Sequence, residues 1–215
     1  MAQNRSTAVM QRRKEPHDSL DYFPTPPWAT RALCRFIDLA GVVVLEPACG
    51  EGHMARPLAE VAWKVIARDV HDYGFGEVRD FLWHEPEAEQ IDWVITNPPF
   101  NLAEQFILKG IGLARCGVAV LVRSAFLEGI GRFERLFAEC PPSRVLQFTE
   151  RVAMVKGRLD ADASSATAYS WIIWEKGTTS TLFSWIPPCR AALERDSDYA
   201  TAAEPAPLLN VMGAA

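Results

Sequence analysis

The sequence predicts an α/β fold, a mostly parallel sheet with helices on both faces. Three observations carry this. Short apolar runs alternate along the chain with stretches of helical periodicity. The 215 residues, 49% of them hydrophobic, suffice for one domain with a substantial core and are too few for two full ones. The unusual residues gather directly after the apolar runs, where open parallel sheets bind their ligands.

Residues 1–20 lack periodicity and are expected to form a flexible arm. Tyr22-Phe23-Pro24-Thr25-Pro26-Pro27-Trp28 is a rigid, proline-rich approach. A helix is expected over 28–39, with Ala32, Leu33, Phe36 and Ile37 at helical spacing and prolines just before its start. A buried strand over 42–45 leads through a glycine-containing loop to a helix over 53–62. Strands over 64–68 and 91–96, a helix over 103–116 and a strand over 118–122 continue the alternation. A helix over 126–138, an extended segment over 144–148 and an aromatic-rich strand over 166–174 complete it. Residues 21–190 are thus expected to fold as one domain, and 191–215, rich in Ala, Pro and Asp, as a disordered tail.

Charged residues make up 23% of the chain, no apolar run approaches the roughly 18–20 residues of a membrane span, and the N-terminus lacks a signal core. The expected location is the cytoplasm. The five cysteines are scattered without a C-x-x-C pair, and His17, His53, His71 and His84 have no ligand spacing, so no metal is expected. The net charge is −5, whereas dedicated DNA binders are usually basic. An enzyme that visits DNA briefly needs only a local basic face. Arg12-Arg13-Lys14, and Arg151, Lys156 and Arg158, are the available clusters, although such clusters are also common on ordinary solvated surfaces. Monomer and homodimer are both compatible with the sequence.

Glu46-Pro47-Ala48-Cys49-Gly50-Glu51-Gly52 follows the first strand, and its glycines let backbone approach a ligand before a helix begins. It is neither G-x-G-x-x-G nor a P-loop, which disfavours dinucleotides and triphosphates. The second strand ends at Asp69, about 20 residues on, where a carboxylate can accept from ribose hydroxyls. In Asp80-Phe81 a carboxylate sits beside a ring, a pair able to hold an adenine. The sharpest feature is Asn97-Pro98-Pro99-Phe100 at the end of a buried strand. Consecutive prolines hold the chain rigid and cannot donate, while their carbonyls still accept. With the Asn97 carbonyl and the flat face of Phe100 they make fixed acceptors beside a stacking platform. That suits an NH2 group on a planar ring. Gripping its two N–H bonds favours a pyramidal nitrogen and aims its lone pair at an electrophile.

Asn97-Pro98-Pro99-Phe100 resembles the (D/N)-P-P-(Y/F) motif of amino-methyltransferases. Together with Thr25-Pro26-Pro27 and Leu45-Glu46-Pro47-Ala48-Cys49-Gly50, it resembles N6-adenine DNA methyltransferases of the gamma-type motif order. The resemblance covers roughly residues 22–175. It implies a Rossmann-like S-adenosylmethionine-dependent methyltransferase fold, mostly parallel with a late antiparallel strand. It implies S-adenosylmethionine as cofactor and DNA as partner. Thr25 and Pro26 would lie near the methionine end of the cofactor, and Glu46, Ala48 and Gly50 would line its loop. Asp69 would hold the ribose, and Asp80 with Phe81 the cofactor adenine. Asn97 and Pro98, held by Pro99, would bind the target amine, with Phe100 stacking on a flipped base.

The segment 148–158, followed by 164–174, resembles small, often phage-associated adenine methyltransferases. There an aromatic residue commonly packs on the flipped base; Met154 holds that place here, and Lys156 and Arg158 are candidates for phosphate contacts. Fewer than 45 residues follow Trp174, too few for the sizeable recognition domain usual in the gamma type. Short or relaxed sequence specificity is therefore expected, from loops 124–132 and 156–166 and the basic arm. Methyltransferases of protein glutamine or of a ribosomal RNA amine share the four-residue motif and are the alternative.

Overall fold

The computed structural model of the protein describes residues 21–83 and 89–199. The expected arm over 1–20, with Arg12-Arg13-Lys14, and the chain from residue 200 lie outside the described residues.

In chain order the elements are α1 (Pro27–Leu33), β1 (Val43–Glu46), α2 (Ala55–Ala59), β2 (Lys64–Asp69), β3 (Glu77–Val78), β4 (Trp93–Thr96), α3 (Ala103–Leu113) and β5 (Gly117–Arg123). There follow α4 (Ile130–Arg132), β6 (Arg144–Phe148), β7 (Tyr169–Glu175), β8 (Leu182–Ile186) and α5 (Arg190–Leu193). The eight strands form one sheet in the order β3-β2-β1-β4-β5-β7-β6-β8. β7 runs antiparallel to both its neighbours, β5 and β6, and every other pairing is parallel. The expected sheet, parallel with a late antiparallel strand, is what the chain forms.

Strand alternation sends neighbouring residues to opposite faces. Val44, Ile95, Leu121 and Trp171 enter a core beneath α1 and α2. Leu45, Val94, Val120 and Ile172 enter the core beneath α3. α1 begins with Pro27, whose missing N–H costs nothing in a first helical turn. α3 buries Ala103, Phe106, Ile107 and Gly110, an i, i+3, i+4, i+7 stripe. Gly110 lets the helix pack closely on β5, since a Cβ there would stand 3.0 Å from the Val118 side chain.

Four expectations are corrected. The helix expected over 28–39 ends at Leu33, and the chain continues in tight turns before Gly41 (φ +74°) redirects it into β1. The helix expected over 126–138 is broken into a 3-10 turn (Ser124–Leu127), α4 and a π turn (Phe133–Phe137). Two glycines flank Ile130, and the Arg132 guanidinium donates to the carbonyls of Phe126 (2.7 Å) and Glu128 (2.6 Å), which holds the break. β3 and β8 are additional strands. Both are edge strands with largely exposed side chains; β3 has two residues, and β8, although Leu182, Phe183, Trp185 and Ile186 are apolar, buries only Ile186.

The expected tail also begins too early. Residues 190–199 form α5 and a 3-10 turn (Asp196–Tyr199) held by ion pairs. Arg31 on α1 reaches Asp198 at 2.8 Å and the Leu193 carbonyl at 2.9 Å, and Arg195 reaches Glu60 at 2.9 Å. Among the described residues no helix is long and apolar enough to cross a membrane.

Candidate active site

From β1 the chain passes outward to β2 and β3, then returns to β4 on the other side of β1. This reversal opens a crevice at the carboxyl ends of β1 and β4, the place where such sheets bind ligands. A cavity of about 460 Å³ lies there, within the range of small-molecule sites. Its walls include Thr25, Glu46, Ala48, Asp69, Asp80, Phe81 and the whole of Asn97-Pro98-Pro99-Phe100.

Asn97 follows the last residue of β4. Its Nδ2 donates to the Phe23 carbonyl (2.9 Å) and to the Thr25 hydroxyl (3.1 Å), with the Met154 sulfur at 3.6 Å. A carbonyl oxygen can only accept, so the nitrogen end of the amide must face Phe23. The Asn97 Oδ1 is thereby turned the other way, buried and without a hydrogen-bond partner among the described residues. Buried acceptors are nearly always satisfied, so a fixed, unsatisfied one in a cavity wall marks a place for a donor. The Pro99 carbonyl is engaged by the Leu102 N–H at 2.9 Å, which fixes the turn into α3.

Phe100 is held at both ends. Its N–H donates to Asp21 Oδ2 at 2.7 Å. Its ring lies 5.3 Å from that of Phe23, tilted by 40°, and carries the Arg123 guanidinium 4.0 Å from its centroid.

The glycine loop is braced from β2. Asp69 accepts from the Gly50 N–H through Oδ2 (2.9 Å) and from the His71 N–H through Oδ1 (3.0 Å). Gly50 has φ +50°, and a Cβ on it would stand 2.3 Å from the Tyr22 ring, so only glycine fits. Glu46, at the end of β1, is 2% exposed and its Oε2 has no hydrogen-bond partner among the described residues. Burial, reinforced by the nearby Asp69, raises its carboxyl well above the usual carboxylate range. Asp80 accepts from the Leu82 N–H at 2.8 Å, and Phe81 packs on Phe106 with ring centroids 5.0 Å apart.

The structure therefore brings together most of the residues that the sequence singled out. Pro26 and Gly50 stand behind the wall rather than in it. Met154 does not face the cavity as a second wall for a base; it is buried against the nitrogen end of Asn97. Lys156 and Arg158 sit on a short hairpin bridged from Val155 to Arg158, tied to Tyr22 through the Gly157 N–H (2.9 Å), and are not part of the cavity wall. Arg158 is paired with Asp160 at 2.9 Å. Sequence reading missed Asp21, Tyr22, Phe23, Met54, His71 and Tyr73 as wall residues. Only the place of Tyr22 and Phe23 beside Thr25-Pro26-Pro27 signalled them.

No protein-family model matches the sequence, and no curated protein is significantly similar to it. Solved structures do match. A modification subunit assigned to a type I restriction enzyme from Vibrio vulnificus YJ016 superposes with TM-score 0.57 at 15% identity, over 76% of this chain and 47% of that one. This chain thus spans about half of that subunit's length. A protein assigned as an RNA methyltransferase from Pyrococcus horikoshii gives 0.56 at 19% identity, over 75% and 90% of the two chains. A dimethyladenosine transferase from Plasmodium falciparum gives 0.50 at 15%, over 72% and 64%. At these identities the likeness is one of fold: the chain has the Rossmann-like architecture shared by these methyltransferases.

Proposed function

We propose that the protein transfers a methyl group from S-adenosylmethionine to the N6 amine of adenine in DNA, as an enzyme of the gamma-type motif order with short or relaxed sequence specificity. One observation carries the reading. The Asn97 amide is locked by its nitrogen, and its oxygen is a fixed, buried acceptor without a hydrogen-bond partner among the described residues, on a residue that lines the cavity. A target NH2 supplies the missing donor.

The cavity suits the cofactor. Glu46 offers a buried, unpaired carboxylate for a cationic group such as an α-ammonium, which would return its charge. Asp69, placed by the Gly50 and His71 N–H groups, keeps lone pairs for ribose hydroxyls, and Asp80 with Phe81 forms the edge suited to an adenine. When bound, S-adenosylmethionine supplies an already electrophilic methyl group, so the protein needs no nucleophile of its own. Its residues orient. Asn97 Oδ1 and the Pro98 carbonyl accept the two N–H bonds of the target amine and turn its lone pair out of conjugation. Fixed dipoles of this kind cost no reorganisation when charge develops on nitrogen. After transfer the amine carries a positive charge, which the same two oxygens stabilise until its proton leaves to solvent. Phe100 provides the stacking face for a base taken out of the duplex. The choice of DNA rests on Thr25-Pro26-Pro27 and the order of the motifs; the names of the fold neighbours, a restriction modification subunit and a dimethyladenosine transferase, are in keeping with an adenine amine.

The test offers purified protein and methyl-labelled cofactor to duplex DNA, ribosomal RNA and a glutamine-bearing release-factor protein, with Asn97→Ala alongside. Label in DNA adenine, lost in Asn97→Ala, is expected. Label entering only RNA or protein would replace the substrate while keeping the chemistry.

A further inference from the structure

One face of the Phe100 ring is already covered. Arg123, the last residue of β5, lays its guanidinium 4.0 Å from the Phe100 centroid. Tyr169 is its register partner on β7. Arg135, Arg144 and Arg190 are tied to carboxylates, Glu104, Glu175 and Glu194, and Arg132, which also lies over a ring, is tied to two backbone carbonyls. Arg123 lies over the Phe100 ring and is exposed. Its backbone is fixed, because β5 pairs with β7 through Arg123 and the Ser124 N–H donates to the Ala168 carbonyl at 2.8 Å. A long cationic side chain thus rests on Phe100 from a rigid base, itself outside the cavity wall.

Resting on the reading of this cavity as an amine methyltransferase site, we propose that Arg123 is a phosphate-binding gate. Its guanidinium covers Phe100 in the free protein, gives up that face to the target base, and pairs with a backbone phosphate of the target strand. The chemistry of the side chain fits both positions. A guanidinium is planar and weakly hydrated, so it stacks on a ring, and its fork of donors matches a phosphate bidentately. A cation over an accessible ring is held weakly, whereas a base stacked on an aromatic side chain is held more firmly, so the exchange runs toward the bound state. A phosphate is also a feature that a protein glutamine lacks, so the gate favours nucleic acid as the substrate class.

The experiment measures kcat and KM for a duplex oligonucleotide over a range of salt, for wild type, Arg123→Gln and Arg123→Lys. Losing one phosphate contact is expected to raise KM for Arg123→Gln by about tenfold or more, with a smaller fall in kcat. The slope of log(1/KM) against log salt should become shallower by about 0.9, the value for one phosphate on duplex DNA. Arg123→Lys keeps the charge and should keep the slope while raising KM. Wild-type KM and slope in Arg123→Gln would overturn the gate. So would a loss confined to kcat, which would mark a purely structural role. A wild type that labels no nucleic acid would overturn the underlying reading and the gate with it, and that failure is told apart because it precedes any substitution.

Discussion

Asn97→Asp tests how the active-site amide is set. The motif class admits either residue, but this chain places the Nδ2 of Asn97 against two oxygens, the Phe23 carbonyl at 2.9 Å and the Thr25 hydroxyl at 3.1 Å. An aspartate would set an oxygen against the Phe23 carbonyl, with nothing to donate. The Thr25 hydroxyl can turn and donate to the new carboxylate, so the one hydrogen bond necessarily lost, about 1 kcal/mol, is that to Phe23, and the unpaired buried acceptor adds about 1–3 kcal/mol, giving an expected loss of roughly 2–4 kcal/mol at pH 7. For a chain of this size that corresponds to a fall of about 4–16 °C in Tm. The deficit must depend on pH. Burial against a carbonyl raises the carboxyl of the new residue above its unfolded value of about 3.9. The variant is then least impaired below the unfolded pKa, where the carboxyl is protonated and can donate to Phe23, and loses stability as pH rises through the folded pKa. Urea unfolding at pH 4 and pH 7, on wild type and variant, reads this directly. A variant within about 0.5 kcal/mol of wild type at both pH values, inside the range of featureless surface substitutions, would refute the locked-amide geometry.

Two further substitutions probe the cofactor side of the cavity. Glu46→Gln removes a buried carboxyl whose pKa is raised by burial. Wild-type stability from this group is fully present below the unfolded pKa of about 4.3 and is lost as pH rises through the folded pKa, so the variant should gain on wild type between pH 4 and pH 8 in cofactor-free melts. The same variant should bind S-adenosylmethionine about tenfold or more weaker by calorimetry, as expected for a lost charge-assisted hydrogen bond; unchanged affinity would remove Glu46 from the cofactor site. Gly50→Ala forces a Cβ into a φ +50° residue 2.3 Å from the Tyr22 ring. It should cost at least the roughly 1–2 kcal/mol of a left-handed non-glycine residue and abolish cofactor-induced thermal stabilisation, whereas a wild-type thermal shift would show that the loop is not held as described.

What the sequence disclosed and what it hid have a common physical origin. Asn97-Pro98-Pro99-Phe100 was legible because its features are local: rigid prolines, an amide and a ring in four consecutive residues at the end of a buried strand. The parallel sheet was legible because its strands are buried on both faces and read as apolar runs. Edge strand β8 went unread although Leu182-Phe183-Ser184-Trp185-Ile186 is mostly apolar; Leu182, Phe183 and Trp185 are exposed and only Ile186 is buried. The contacts that set the site also went unread, because they join residues far apart in sequence. Phe23 and Thr25 lock an amide more than seventy residues away. Tyr22 covers Gly50, and Arg123 covers Phe100. Met154 was expected as a wall for a base because its neighbourhood resembles a segment with an aromatic there. Instead, its thioether packs behind Asn97, where it supports the acceptor without touching the cavity. The early end assigned to the domain has a similar cause: a stretch dominated by charged residues offers no apolar pattern, and it is ion pairs to Arg31 and Glu60 that hold residues 190–199.

The central claim is that the oxygen of Asn97 grips the N6 amine of adenine in DNA. The most direct measurement is base-modification sequencing, with nucleoside mass spectrometry, of DNA from cells expressing wild type or Asn97→Ala. The account predicts N6-methyladenine in a short sequence context for wild type and none for the variant. Wild-type DNA without N6-methyladenine, or equal modification by both proteins, would contradict it.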